Sequence, residues 1–357
     1  MVQKKVLVAM SGGVDSSVAV RLLQDKGYQV AGATMKLLDG EAEELRIEKT
    51  RRVAKQLSIE LYVFPAEEAF KKGVIEYFAD EYINGRTPNP CIMCNQLFKF
   101  GLFLEKAEEL GFDAIATGHY AKIIRDEKGI YRLLQSENVE KDQSYFLYGM
   151  TQRILSKVIF PLEDGDKEQV RRIAAEMGLE NAGQKDSQDI CFVKDCLYTD
   201  IIDKICEERG TQRRKGNFVD VDGNVLAQHS GIERYTIGQR KGVGVSLGAG
   251  KPLYVIEKRA GTAEVVMGDD SLLFKKELRV EDVSLVSGDC PEDDNAMQVE
   301  VKTRFNQKGL KAEIEYEPET RRARIIFEKP VRAVTPGQFA VFYRGNEVLG
   351  GGKILNS

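Results

Sequence analysis

Residues 11–17, Ser-Gly-Gly-Val-Asp-Ser-Ser, combine the groups that would cradle a phosphate. Gly12 and Gly13 carry no Cβ atom, so their backbone N–H groups can approach phosphate oxygens closely. Serine hydroxyls add donors, and a helix that begins near Ser16 would direct its positive end at the anion. Asp15 is either the N-cap of that helix or a carboxylate beside a phosphate-bound Mg²⁺. The alternative for the whole segment is an ordinary Gly/Ser turn with a capping aspartate.

Cysteines are the second reactive residue type, and Cys91 and Cys94 form a Cys-x-x-Cys pair. The pair follows a proline-stiffened loop and precedes a helix predicted over residues 96–110. Cys94 is therefore expected near the N-terminus of that helix, where the dipole favours thiolate and lowers the thiol pKa. Cys191 is a third candidate, far along the chain. Alone, the pair is a zinc half-site, a redox pair or a coincidence. A four-ligand zinc site is disfavoured, because the chain has only two histidines and no second Cys-x-x-Cys.

The elements that must position these groups alternate through the first third of the chain. Strands are predicted at residues 5–10, 29–35, 61–64 and 113–117, and helices at 16–26, 41–57, 67–82 and 96–110. This alternation implies a doubly wound α/β domain with a parallel sheet. Residues 11–17 then lie at the carboxyl end of the first strand, where such sheets bind ligands.

The later segments change in character. A helix is predicted over residues 166–178, with Asp166 as its cap. Helical patterns disappear near residue 210, and from about residue 275 short alternating runs predict a small antiparallel β-barrel. The predicted division is an α/β domain over residues 1–205, a small central domain over 206–272 and a C-terminal antiparallel β-barrel over 273–357.

The composition fits a globular protein and excludes a strongly basic one. The 357 residues are 42% hydrophobic and 30% charged, with a net charge of −4, so any contact with a polyanion must come from local patches. The N-terminal apolar stretch is too short for a signal peptide, and no apolar run approaches the roughly 20 residues of a membrane helix. We therefore expect a cytoplasmic protein with no membrane partner, whose six cysteines lie in a reducing compartment.

Segments spread over nearly the whole chain resemble those of bacterial tRNA-specific 2-thiouridylases, which carry a pyrophosphatase loop of the form Ser-Gly-Gly-x-Asp-Ser. The matching segments are residues 11–17, 87–90, 94–95, 118–121, 141–145, 185–187, 190–192, 235–242 and 349–352. The resemblance implies an adenine nucleotide alpha hydrolase-like fold and a tRNA-binding central domain. It also implies that ATP, with Mg²⁺, adenylates O2 of the wobble uridine (position 34) and that persulfide sulfur then displaces AMP.

The resemblance also implies roles for individual residues. Cys191 would carry the persulfide, and Cys94 would be the nucleophile that releases the sulfur by forming a disulfide. ATP contacts would fall on Ala9, Met10, Ser11, Gly12, Gly13, Val14, Asp15, Ser16, Met35 and Gly118. Target-base contacts would fall on Asn89, Pro90 and Cys91, and tRNA contacts on His119, Lys141, Asp142, Gln143, Arg304, Phe305 and Gln338. The implied partners are tRNAs for Lys, Glu and Gln and a sulfur-donor protein or cysteine desulfurase.

Cys91 departs from the family pattern, because well-known members have an aspartate there with an acid/base role. Three cysteines, Cys91, Cys94 and Cys191, could instead hold an iron–sulfur cluster with one open iron. Two other functions stay open: an ATP-dependent synthetase that uses ammonia, which would need no sulfur carrier, and a non-catalytic nucleotide- or RNA-binding module. Phe305 and Tyr120 could stack a flipped base or belong to the core.

Basic clusters supply further candidate phosphate contacts for the tRNA. They lie at residues 213–215, 239–241 and 321–324. The alternative for each cluster is an ordinary solvated face.

Overall fold

Five parallel strands form the sheet of the N-terminal part. The computed structural model describes residues 3–164, 166–179, 189–193, 196–244, 252–288 and 296–356. The strands run in the order β3-β2-β1-β4-β7, and their bounds are β1 Lys5–Ala9, β2 Gln29–Lys36, β3 Leu61–Pro65, β4 Ala114–Ala116 and β7 Val158–Ile159. Val6, Leu7 and Val8 are all fully buried, because helices cover both faces of β1. The predicted doubly wound parallel sheet is confirmed.

Two of the helices contain a π-helical segment. One continuous helix consists of α3 Glu67–Phe70, the π segment Lys71–Glu76 and α4 Tyr77–Ile83, and another consists of α5 Pro90–Cys94, the π segment Asn95–Leu102 and α6 Phe103–Glu109. The other helices are α1 Val14–Asp25, α2 Glu41–Gln56, α7 Gln152–Leu155, α8 Lys167–Glu176 and α9 Tyr198–Glu208. The predicted cap of α8 is confirmed, since the Asp166 carboxylate accepts the N–H of Gln169 at 2.6 Å. The helix predicted over 96–110 begins earlier, at Pro90, because a proline at the first helical position favours initiation.

Two further sheets follow. The central one has the order β10-β11-β8-β9, with bounds β8 Gly216–Val219, β9 Val225–His229, β10 Tyr254–Arg259 and β11 Glu264–Gly268. The C-terminal barrel is antiparallel and closes through β12 and β17; its strands are β12 Phe274–Leu285, β13 Ala296–Lys302, β14 Leu310–Glu317, β15 Arg322–Arg332, β16 Phe339–Arg344 and β17 Glu347–Ile354. The predicted C-terminal barrel is confirmed.

A hairpin from the N-terminal part extends the barrel sheet. Strands β5 Ala121–Arg125 and β6 Tyr131–Gln135 form the hairpin, and β6 pairs with β17. This hairpin was not predicted, although the turn between its strands contains Gly129 with φ +83°. None of the helices in the described part of the chain is long and apolar enough to cross a membrane.

Candidate active site

The phosphate-loop residues lie between β1 and α1, as predicted, and the loop is folded on its own hydroxyl groups. Gly12 has φ +75°, and a Cβ there would stand 2.9 Å from the Thr50 hydroxyl, so only glycine fits without strain. The Ser16 and Ser17 hydroxyls both donate to the Gly13 carbonyl, at 3.1 and 2.9 Å. The loop is thereby held in one conformation with its backbone turned around the start of α1.

Gly118 and Met35 lie at or just beyond the carboxyl ends of β4 and β2, the two strands that flank β1. A Cβ on Gly118, which follows β4, would lie 3.0 Å from the backbone nitrogen of Ser16. The Met35 carbonyl, near the end of β2, accepts a hydrogen bond from Arg46 at 2.7 Å. Arg46 is itself braced by two hydrogen bonds to the buried Glu43. The structure thus brings the predicted ATP contacts of three separate segments together, and it adds the Arg46–Glu43 pair, which the sequence did not reveal.

Asp15 is not the helix cap. The helix begins at Val14 and its N-cap is Gly13, which places Asp15 in the first turn. The carboxylate accepts hydrogen bonds from the Lys167 ammonium at 2.7 Å and from the Tyr120 hydroxyl at 3.0 Å. The N-cap alternative for Asp15 is therefore excluded. Tyr120 is only 3% exposed, so the structure supports the second of its two alternatives, a place in the core.

Cys91 and Cys94 lie in the first turns of one continuous helix. Its N-cap is Asn89, whose side-chain oxygen accepts the N–H of Ile92 at 3.4 Å. Cys91 is exposed and Cys94, three residues later, is half-buried on the same side of the helix. Cys191 is exposed and close enough to Cys94 to act on its pKa. The three predicted thiols are therefore neighbours.

The pKa of Cys94 is raised, not lowered. Burial raises the pKa of Cys94 to about 11, the positive charge of Lys99 opposes the shift, and the neighbouring thiols of Cys191 and Cys91 add to it. Because the helix begins four residues before Cys94, the thiol is beyond the N–H groups that the dipole argument requires. Burial raises the pKa of Cys91 as well, although the side chain reaches the surface. The prediction of a thiolate favoured by the helix end is wrong for Cys94.

Lys99 is the cation of this cluster, and the π segment explains its position. In a regular α-helix, residues five apart point about 140° apart around the axis, which would turn Lys99 away from Cys94. The π segment Asn95–Leu102 has wider turns with i→i+5 hydrogen bonds, so residues five apart return towards one face. The Lys99 ammonium accordingly acts on both Cys91 and Cys94, lowering the pKa of each against the effect of burial. Lys99 is a member of the site that no sequence motif indicated.

His119 stands behind Lys99 as a neutral ring. Burial, aided by the Lys99 charge, lowers the pKa of His119 well below its ordinary value. Its Nε2 lies 3.2 Å from the Lys99 ammonium and its Nδ1 lies 2.7 Å from the Thr117 hydroxyl. An ammonium can only donate, so Nε2 accepts and the ring proton belongs on Nδ1, facing Thr117.

The predicted tRNA contacts on the barrel lie beside the loop that precedes the cysteines. The Gln338 amide donates to the carbonyls of Thr87 and Pro88, at 3.0 and 3.3 Å. Arg304 donates to the Ala333 carbonyl at 2.6 Å. Phe305 packs against Phe146 and Tyr145, with ring centroids 4.5 and 6.1 Å away. Gln338 and Phe305 therefore join the barrel to the catalytic part, whereas the hydrogen bond of Arg304 lies within the C-terminal part.

The predicted tRNA contacts at residues 141–143 have mixed surroundings. Asp142 is buried, and its carboxylate accepts hydrogen bonds from Gln135, from Ser144 and from the backbone of Ser136. Gln143 and Tyr120 exchange hydrogen bonds through the Gln143 side chain and backbone. Lys141 is half-buried. The Asp142 carboxylate therefore organises this turn.

The basic clusters are partly engaged within the protein. Arg213 forms ion pairs with Glu233 and Asp203. Arg324 forms ion pairs with Glu277 and Glu315. Arg240 and Lys241 are exposed, so this cluster remains available to a phosphate backbone. The matching segment at residues 185–187 lies outside the described residues.

Within the described ranges, no three side chains of His, Cys, Asp or Glu come together in a way that could hold an ion.

Comparison with known families first defines the class of protein. The chain matches, in order, the tRNA methyl transferase HUP domain over residues 4–195, the tRNA methyl transferase PRC-barrel domain over 203–269 and the aminomethyltransferase beta-barrel domain over 275–354. The first match alone covers more than half of the chain. It is thus a three-part protein whose parallel sheet lies in the HUP match, together with the phosphate loop and Cys91, Cys94 and Cys191.

Full-length relatives then specify the family. The tRNA-specific 2-thiouridylase MnmA of Carboxydothermus hydrogenoformans is 45% identical over 365 aligned residues, which cover 99% of this chain and 98% of the relative. The protein of the same name from Treponema denticola is 46% identical over 364 aligned residues, covering 98% and 97%. The chain belongs to the tRNA-specific 2-thiouridylase family.

A distant structural relative carries a cluster. The solved U34-tRNA thiolase NcsA from Methanococcus maripaludis, with its 4Fe-4S cluster, is 21% identical, covers 58% of this chain and 66% of its own, and has a TM-score of 0.34. These values are too low for that cluster to bear on the cysteines of this chain.

Proposed function

We propose that this chain is a sulfurtransferase that uses ATP to replace O2 of the wobble uridine of tRNA, uridine 34, with sulfur. The observation that carries the proposal is the convergence of Cys91, Cys94 and Cys191 into one electrostatic cluster in the domain that holds the phosphate loop. Family membership supports it independently. An ammonia-using synthetase would have no use for two converging thiols.

In the first step, O2 of the uridine attacks the α-phosphorus of ATP. A bond forms between O2 and phosphorus, the bond to the β-phosphate breaks, pyrophosphate leaves and the N3 proton passes to a base. The loop at residues 11–16, with Ala9, Met10, Met35 and Gly118 around it, would bind the nucleotide through backbone N–H groups and the end of α1. Mg²⁺, when bound, would offset phosphate charge, and Asp15 offers the type of oxygen ligand that it prefers.

In the second step, the outer sulfur of a Cys191 persulfide attacks C2 and the bond between C2 and O2 breaks, releasing AMP. The Cys94 thiolate then attacks the Cys191 sulfur, and the electron pair of the broken S–S bond passes to the sulfur on C2. The products are 2-thiouridine and a Cys94–Cys191 disulfide, which a thiol reductant must reduce before the next turnover. Lys99 favours the thiolate that this step needs.

The tRNA would reach the cysteines through the junction of the catalytic part and the barrel. We assign the target base to Asn89, Pro90 and Cys91, and tRNA contacts to His119, residues 141–143, Arg304, Phe305 and Gln338. The hydrogen bonds of Gln338 to the loop before Pro90 support this assignment. We also propose the division into residues 1–205, 206–272 and 273–357, with tRNAs for Lys, Glu and Gln as substrates.

The sulfur would come from a persulfide-bearing donor protein or a cysteine desulfurase, because Cys191 is exposed and can accept it. ATP and tRNA as substrates fit a cytoplasmic enzyme. Cys91 supports one alternative, a cluster-dependent thiolase in which Cys91, Cys94 and Cys191 would hold the cluster. Anaerobic purification followed by iron analysis distinguishes the two mechanisms. Bound iron that is lost in the Cys91→Ser variant would support the cluster, whereas a fully active protein without iron would exclude it.

The direct test combines the protein with ATP, Mg²⁺, unmodified tRNA and a persulfide donor. We expect AMP and 2-thiouridine at the wobble position. Formation of AMP without thiolation of any tRNA would contradict the proposal and favour another adenylating enzyme.

A further inference from the structure

Lys167 reaches the nucleotide loop from a distant part of the chain. It is the first residue of α8, and its ammonium reaches Asp15 at 2.7 Å although the two residues are 152 positions apart. The lysine side chain is 10% exposed. The ammonium also lies 5.9 Å from the centre of the Tyr120 ring. A buried ammonium group is therefore fixed at the beginning of α1, in the turn that follows the phosphate loop.

The position of this cation is unfavourable unless an anion compensates it. An ammonium in the first turn of a helix meets the positive end of that helix, and burial further penalises the charge. Asp15 supplies one compensating charge, and Tyr120 orients Asp15 by donating to the same oxygen. Asp15 itself belongs to the loop that surrounds the phosphates in the proposed reaction.

The loop lacks a cation of its own. Residues 11–17 contain no lysine or arginine, whereas kinase-type loops end in a lysine that binds the outer phosphates. Adenylation also releases pyrophosphate, whose developing charge must be stabilised. Backbone N–H groups and a helix end supply partial charges only.

We propose that Lys167 supplies the phosphate-binding cation of this nucleotide site and that Asp15 and Tyr120 hold its ammonium group at the loop. The proposal rests on the adenylating function proposed above, and it assigns ATP phosphates as the ligand of Lys167. A purely structural tether between α8 and α1 is the competing role for the same ion pair.

The test measures the dissociation constant of ATP with Mg²⁺ and without tRNA, by calorimetric titration, for variants whose folding is checked by thermal melting. Lys167→Met should raise the dissociation constant about 10- to 100-fold, because a charged hydrogen-bonding group is lost. Lys167→Arg should restore most of the affinity. Lys122→Met removes another lysine with two carboxylate partners, Glu137 and Asp164, and should bind ATP like the wild type.

A folded Lys167→Met protein that binds ATP with wild-type affinity would overturn the proposal, as would an arginine variant no better than the methionine one. If Lys167→Met does not fold, Lys167→Gln, which keeps a donor for Asp15, provides the same comparison. Because tRNA is absent from the titration, a chain that binds ATP through Lys167 but thiolates no tRNA would retain this inference and lose the proposed function.

Discussion

The nucleotide loop and the thiol helix each have a lysine, and the two lysines differ in what surrounds them. Lys167 forms an ion pair with Asp15 at 2.7 Å. Lys99 lies 3.2 Å from the neutral ring of His119, and among the described residues no carboxylate forms an ion pair with it. Asp15 fixes the Lys167 ammonium beside the phosphate loop, where it would meet the negative charge of bound phosphates. The Lys99 ammonium instead acts on the neighbouring thiols and lowers the pKa of Cys91 and Cys94 against the effect of burial.

This difference separates the two halves of the proposed reaction. The loop must accept a negatively charged nucleotide, and Asp15 holds the Lys167 ammonium at a defined position for that purpose. The thiol helix must ionise sulfur that burial keeps protonated, since the pKa of Cys94 is raised to about 11. Lys99 lowers that pKa in the direction which the chemistry needs. Variants in one half should therefore leave the other half working.

Replacing the persulfide carrier should have the largest effect on the thiol half. Cys191→Ser should lower 2-thiouridine formation from a persulfide donor at least about 100-fold, because serine cannot carry the transferred sulfur. Exchange of labelled pyrophosphate into ATP, which needs only the nucleotide half and tRNA, should continue. Cys196→Ser removes another exposed thiol five residues away and should remain active. Unchanged transfer by Cys191→Ser would remove the assigned role of Cys191.

Substitution of Gly12 should impair nucleotide binding and leave the thiols unchanged, which is the opposite of the effect expected for Cys191→Ser. Gly12→Ala places a Cβ at φ +75° and 2.9 Å from Thr50, so we expect ATP affinity to fall about tenfold and stability to fall by about 1–2 kcal/mol. Alkylation of Cys94 should be unaffected. Gly27→Ala is the matched control, since Gly27 has φ +81° at the far end of α1 with no atom near its Cβ. Equal losses of ATP affinity in both variants would show that strain alone is responsible.

Removal of the Lys99 charge should have a moderate effect, confined to the thiols. A thiol with a pKa of about 11 is mostly protonated at neutral pH, so its alkylation rate rises with pH until the pH passes that pKa. Lys99→Met should raise the pKa of Cys94 further and slow its alkylation at neutral pH roughly three- to tenfold.

The position of the alkylation profile along the pH axis distinguishes a charge effect from a structural one. Lys99→Arg should stay close to the wild-type profile because it keeps the charge. ATP affinity should not change in either variant. A methionine variant with the wild-type pH profile would contradict the account of the thiol helix.

Loss of the α8 cap should have the smallest effect. Asp166→Ala leaves the N–H of Gln169 without its side-chain acceptor, so we expect a loss of about 1 kcal/mol in the free energy of unfolding. Chemical denaturation measures this loss, and Asp166→Asn, which can also cap, should recover most of it. A loss of the same size in the asparagine variant would show that the carboxylate charge matters more than the capping bond.

The sequence could predict the groups that lie close together along the chain. The loop at residues 11–17, the parallel sheet around it and the cap at Asp166 all follow from local spacing, and the structure agrees. Of the two alternatives for Asp15, the helix cap is excluded, because α1 begins at Val14 and its N-cap is Gly13. The boundary of a helix is decided by tertiary contacts such as those of Tyr120, which no local pattern contains.

Groups that meet through the fold could not be predicted in the same way. Lys167 reaches Asp15 only because α8 packs against α1. Lys99 acts on the cysteines from a helix that widens into a π segment, which local spacing along the chain does not indicate. The pKa of Cys94 was predicted in the wrong direction because burial, which depends on the whole domain, outweighs the helix dipole.

The most direct test of the account is a single turnover with persulfide-loaded protein, ATP, Mg²⁺ and tRNA, followed by nucleoside analysis and disulfide mapping. The account predicts equal amounts of AMP and 2-thiouridine, together with one Cys94–Cys191 disulfide for each thiolated tRNA. Thiolation at the wild-type rate in Cys94→Ser, with no disulfide formed in the wild type, would contradict it.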